Sequence, residues 1–160
     1  MLASPTLFIF ATGALAFFGV TLALIYRGRH DEGRLRRGTD YAGWILAVMC
    51  GIYMGFALTN HTHPYATIEI FFNGVLICIL VMMRRQEVPQ RLALASLLIG
   101  VHGLWDGLHF FALPLENNLV PHWYALACAV FDLGFFLMAL PIFIRVIRTG
   151  HVILSQPQAK

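Results

Sequence analysis

"LALASLLIGVHGLWDGLHFFALPL" (Leu92–Leu115) is long and apolar enough to cross a bilayer, yet it carries a carboxylate and two imidazoles. A spanning helix needs about 20 mostly apolar residues. Within this run His102, Asp106 and His109 stand at i, i+4 and i+7, which puts all three on one helical face. A carboxylate at the centre of a membrane costs at least about 2.5–3.5 kcal/mol on insertion scales. The reading of this stretch therefore decides both the fold class and where the chemistry lies.

The rest of the chain agrees with a membrane setting. Hydrophobic residues make up 59% of the 160 and charged residues only 12%, and the mean hydropathy is +0.73. Soluble domains carry about 25% charge. Five stretches have the length and character of spans: Pro5–Tyr26, Tyr41–Thr59, Pro64–Met83, Leu92–Leu115 and Pro121–Ile144. The first lacks a basic segment before it and is read as a retained helix, not a cleaved signal peptide. Cys50, Cys78 and Cys128 lie in apolar blocks without a CxxC spacing and read as small buried hydrophobes.

Charge placement sets the expected orientation. All 11 Lys and Arg residues fall between spans one and two, between three and four, or after span five. The positive-inside rule then predicts an outside N-terminus and a cytoplasmic C-terminus. The same rule accounts for the basic balance, leaving little reason to invoke nucleic acid. Arginines of the first basic loop would also meet anionic lipid.

Two segments resemble two others in the same chain. "CGIYMGFAL" (50–58) aligns with "HGLWDGLHF" (102–110), and "HPYATIEIFFN" (63–73) with "HWYALACAVFD" (122–132). The expected architecture is an all-α integral membrane protein forming one transmembrane domain over residues 1–160. It consists of a leading helix (5–26), two related parallel hairpins (41–83 and 92–144) and a cytoplasmic tail (145–160). Gly51/Gly55 and Gly103/Gly107 have the small-xxx-small spacing that lets membrane helices approach closely. Sites in such repeats often lie at the repeat interface.

Every ionisable group expected inside the membrane is an acid or a histidine, with no Lys or Arg to neutralise it. Such carboxylates must be protonated, bonded to histidine, or neutralised by a bound cation. His102, Asp106, His109, His122, Asp132 and Glu69 are accordingly candidate ligands for a transition metal such as zinc, copper or iron. Asp106 and His109 are candidate acid–base groups. Cys50 and Met54 occupy the repeat positions of His102 and Asp106 and would add soft donors if the hairpins face each other.

Plainer roles compete. Asp132 opposite Asn73 reads as an interhelical hydrogen-bonded pair, and Glu69 as a water-exposed group near the interface. "HTH" (61–63) reads as a polar loop, and Trp105, Trp123 and Tyr124 as packing and interface anchors. No HExxH, Walker A or GxSxG motif is present.

Three function classes follow: a membrane metalloenzyme acting on a lipid-soluble substrate, a proton- or metal-coupled transporter, or a non-catalytic or cofactor-ligating subunit of a larger membrane complex. The expected partners are the lipid bilayer, a lipid-soluble small molecule or other membrane subunits. The expected location is a bacterial inner (plasma) membrane.

Overall fold

The computed structural model describes residues 5–28, 31–111 and 119–149. They form five helices: α1 (Pro5–Gly28), α2 (Glu32–Thr59), α3 (Ala66–Met82), α4 (Val88–Phe110) and α5 (His122–Thr149), with one 3₁₀ turn at Met83–Arg85. No strand occurs among the described residues. Among the described residues, four helices are long and apolar enough to cross a membrane: Gly33–Thr59, Ala66–Arg85, Val88–Phe110 and His122–Pro141. In α1 (Pro5–Gly28) the stretch Leu15–Arg27 is apolar as well. The chain is an integral membrane protein.

Helix ends depart from the hydropathy blocks for local reasons. α2 starts nine residues before the apolar run at Tyr41, inside what reads as a basic loop. Asp31 caps it, its side chain accepting from Arg34 N at 3.2 Å, and so satisfies one of the first turn's orphan donors. α3 begins at Ala66 and not Pro64, because His63–Tyr65 form a turn in which Tyr65 N donates to His63 Nδ1. α4 begins at Val88, since Pro89 falls in the first turn, where a missing N–H is harmless. It ends at Phe110, whereas the apolar run continues to Leu115; residues 112–118 lie outside the described residues. α5 runs through Pro141 to Thr149, so the first five residues of the expected tail are helical. The remainder of that tail, 150–160, is also outside the described residues.

α2 packs against α1, α3 and α4, and α4 and α5 form the most extensive helix pair. Near Pro141 of α5, which has no N–H to give, the Tyr26 hydroxyl of α1 donates to Met138 O at 2.7 Å and ties the two helices. Outward faces are apolar: Val48, Phe71, Leu104, Val130 and Leu137 are all exposed, as lipid contact requires. α4 is the most enclosed helix, with buried residues from Pro89 to His109.

The core has two apolar parts. One gathers Leu46, Cys50, Leu92, Ile99 and Phe135, among others. The second gathers Tyr53, Ala57, Ala66, Val120 and Ala125. On α4 and α5, His102, Asp106, His109 and Asp132 fall between these two groups.

Of the four repeat glycines, only Gly103 makes a close helix contact. A Cβ there would stand 2.6 Å from Asp132 Cβ and 3.1 Å from Leu133 N. Gly51, Gly55 and Gly107 have nothing within 4 Å of that position. On α4 the second close approach is instead at Gly100, where a Cβ would meet Phe136 Cγ at 2.8 Å. The α4–α5 contact thus uses an i, i+3 glycine pair, and the i, i+4 spacing read from the sequence is not what brings the helices together.

Candidate metal centre

Among the described residues nine polar or charged residues are buried, and six of them belong to one region: Glu69, Asn73, His102, Asp106, His109 and Asp132. They divide into two groups that share the α4 face.

The first group is built on α4 and α5. One turn of helix sets His102 over Asp106, and the close contact at Gly103 brings Asp132 of α5 against them. His102 Nδ1 lies 3.1 Å from Asp106 Oδ2 and 3.0 Å from Asp132 Oδ2. A ring N–H at this nitrogen donates to both carboxylates, since carboxylates only accept. One ligand atom from each of the three residues lies within 4.8 Å of the other two, and all three side chains are buried.

The second group joins α4 to α3. His109 Nε2 stands 2.6 Å from Glu69 Oε1, at ion-pair distance, although no ring N–H is aimed along that line. Trp105 Nε1 donates to Glu69 Oε2 at 3.1 Å, and Asn73 Nδ2 donates to Glu69 O at 2.9 Å. Trp105 stacks on Phe72 with ring centroids 4.2 Å apart.

Tyr53 of α2 touches both groups. Its ring meets His102 edge-on at 5.0 Å and lies stacked on His109 at 6.2 Å. Around it, His102 Nε2, Asp132 Oδ1 and His109 Nδ1 are buried with no hydrogen-bond partner, and the Tyr53 hydroxyl faces the Asp106 carboxylate. Buried polar atoms are paired in the great majority of cases, and clusters of exceptions call for an explanation.

The sequence candidates therefore separate. His102, Asp106 and Asp132 come together, while His109 and Glu69 form a neighbouring pair. His122 stands apart at the exposed start of α5, its ring 6.4 Å from Phe110. Three expectations are corrected. Asp132 and Asn73 do not pair, because His102 takes the first and Glu69 the second. Glu69 is only 1% exposed, its carboxylate enclosed by Trp105 and His109. Trp105 is more than an anchor, because it is a hydrogen-bond donor to Glu69. "HTH" is a polar loop as expected, with His61 exposed and His63 closing a turn.

Sequence reasoning missed Tyr53 as part of the site. Its one available signal is that it falls opposite Trp105 when residues 50–58 are aligned with 102–110.

Charge bookkeeping narrows what the first group can do. Two carboxylates with an imidazolium sum to one negative charge in a buried, low-dielectric place. Neutrality is reached either with one carboxyl protonated beside the imidazolium or with a divalent cation and a neutral imidazole. Two of the three donor separations fit as well, and the third is within 4.8 Å. Donor atoms about 2.1 Å from an ion stand about 3.0 Å apart at right angles and about 3.4 Å apart at tetrahedral angles. The observed 3.0 and 3.1 Å separations fall at the near end of that range. No protein-family model, curated protein or solved structure matches the chain.

Proposed function

We propose that this chain is a membrane metalloprotein whose His102, Asp106 and Asp132 hold a divalent transition cation between α4 and α5. The supporting observation is the convergence of their three buried donor atoms, at 3.0 and 3.1 Å, in a set whose charges a divalent ion neutralises. One nitrogen and two oxygen donors favour zinc, iron(II) or manganese(II) over copper(I), which prefers thiolate and thioether. Binding would displace the Nδ1 proton, so metal uptake releases protons.

The adjoining pair gives the site an acid–base group. His109 is an imidazole at ion-pair distance from a carboxylate, a pairing that general acid–base catalysis can use. It lies three residues from Asp106, on the same face of α4. On this reading His109 and Asp106 move protons for a lipid-soluble substrate that reaches the metal from the bilayer. Glu69 orients His109, and His122 guards the rim. The fold spans a bacterial inner membrane with its arginine-bearing ends cytoplasmic.

One observation favours a second reading. The polar groups continue from Asp132 through His102 and Tyr53 to His109 and Glu69, as a proton- or metal-coupled transporter would need. Flux of the cation into proteoliposomes separates transport from catalysis.

Elemental analysis of purified protein tests the shared claim. Wild type is expected to carry about one transition-metal ion per chain, and Asp132→Asn to fall to background while remaining monodisperse. Folded wild type that holds no metal after preparation without chelators, and takes none up on titration with zinc, iron(II) or manganese(II), would sink the proposal.

A further inference from the structure

A second feature lies at the opposite, arginine-bearing end of the bundle and owes nothing to the metal site. Arg36, Asp40, Gly43 and Ala47 recur at helical spacing on α2 and share one face. Opposite them, Ile77, Leu80 and Val81 of α3 lead to Arg84 in the 3₁₀ turn. With Arg91 of α4, these surfaces line a cleft of about 450 Å³. That volume is in the range of sites for small molecules.

The cleft is polarised along its length. From Arg36 to Ala47 is eleven residues, or about 16 Å of helix. Its outer end holds three guanidinium groups against the single carboxylate of Asp40. Its inner end is apolar, walled by Ala47, Ile77, Leu80 and Val81. Asp40 is committed to Arg91, with 2.5 Å between Oδ1 and Nη2. Arg36 and Arg84 are exposed and make no ion pair among the described residues. Trp44, 63% exposed on the same wall, is a residue type that settles at the boundary between headgroups and acyl chains.

Arginines that act only as topology signals need no apolar groove beneath them. A free anion would use the guanidinium groups and leave the apolar wall without a role. One ligand class uses both ends, carrying a phosphate on a hydrocarbon chain. We infer that this cleft binds a single anionic glycerophospholipid, its phosphate between Arg36 and Arg84 and an acyl chain along the Trp44–Leu80 wall.

Native mass spectrometry of the full chain in detergent tests the inference, using phosphatidylglycerol and phosphatidylcholine with identical acyl chains, and inorganic phosphate as probes. Phosphatidylglycerol is expected to give one retained adduct, at least tenfold tighter than phosphatidylcholine. The exposed double substitution Arg36→Gln/Arg84→Gln is expected to remove that preference. Gly43→Leu tests the groove without changing charge. A Cβ there would touch Leu80 Cδ1 at 3.4 Å, an ordinary contact, and the rest of the side chain would enter the cleft. It is expected to weaken phosphatidylglycerol at least tenfold. Equal retention of both lipids overturns the inference, as does a double variant that binds like wild type. Competition by inorganic phosphate at equal concentration would mark a free-anion site, and unaltered binding in Gly43→Leu would mark surface attraction alone. Either result also rejects the lipid cleft.

Discussion

Replacing His102 by alanine is expected to abolish metal binding and to destabilise the bundle more than any other single change at the site. His102 supplies the nitrogen donor of the set and is the group through which two buried carboxylates are satisfied. Without it, Asp106 and Asp132 remain in the interior, each 1% exposed or less, with no cation between them. Removing one partner of a buried charged group typically costs about 3–5 kcal/mol. A cavity the size of the ring adds to that. The expected readings are background metal and a clear fall in the thermal unfolding midpoint in detergent. Adding Asp132→Asn to His102→Ala should recover part of the midpoint but none of the metal, because it relieves the charge without restoring a donor. An unchanged midpoint in His102→Ala would show that the carboxylates do not depend on the imidazole.

The second large effect is expected at a residue with no polar atoms in its side chain. Gly103→Ala would place a methyl group 2.6 Å from Asp132 Cβ and 3.1 Å from Leu133 N. One of those atoms is backbone, so the helices themselves must move apart. Overpacking of this kind costs about 1–3 kcal/mol. Asp132 is the α5 contribution to the donor set, so the same displacement draws its carboxylate away from His102. Binding constellations tolerate only about 0.5 Å of misplacement, and metal affinity should fall by about tenfold or more. Gly107→Ala is the matched control, one turn along the same helix with nothing within 4 Å of the added carbon. It should bind metal as wild type does. Parallel metal titrations of the two variants decide the matter. Equal affinities would mean that the contact at Gly103 does not position Asp132.

Much of the architecture was legible because a spanning helix writes its length in uninterrupted apolar residues. The pairing of His102 with Asp106 was legible too, since i, i+4 spacing stacks side chains on a helix whatever surrounds it. The partners chosen across helices were not. Asp132 lies 30 residues from His102, and Glu69 forty from His109. Helices that are hydrophobic nearly all round give no periodic sign of which face turns inward. Glu69 shows the consequence: its position along α3 suggested water, whereas Trp105 and His109 enclose its carboxylate. The glycines show the converse. The alignment of residues 50–58 with 102–110 drew attention to Gly107, but the contact needed Gly100 and Gly103, whose partners on α5 no single sequence identifies. The start of α2 was hidden differently. A polar first turn is invisible to hydropathy, and only the capping side chain of Asp31 marks it.

The central claim is that a divalent cation sits among one imidazole and two carboxylates between α4 and α5. X-ray absorption at the edge of the bound metal reads that donor set directly. The expected spectrum shows nitrogen and oxygen neighbours at about 2.0–2.2 Å, the multiple scattering of one histidine ring and no sulfur shell. That signal should be lost in Asp106→Asn/Asp132→Asn. A sulfur shell near about 2.3 Å would move the metal to the cysteines, and an unaltered spectrum in the double variant would place it away from these helices altogether.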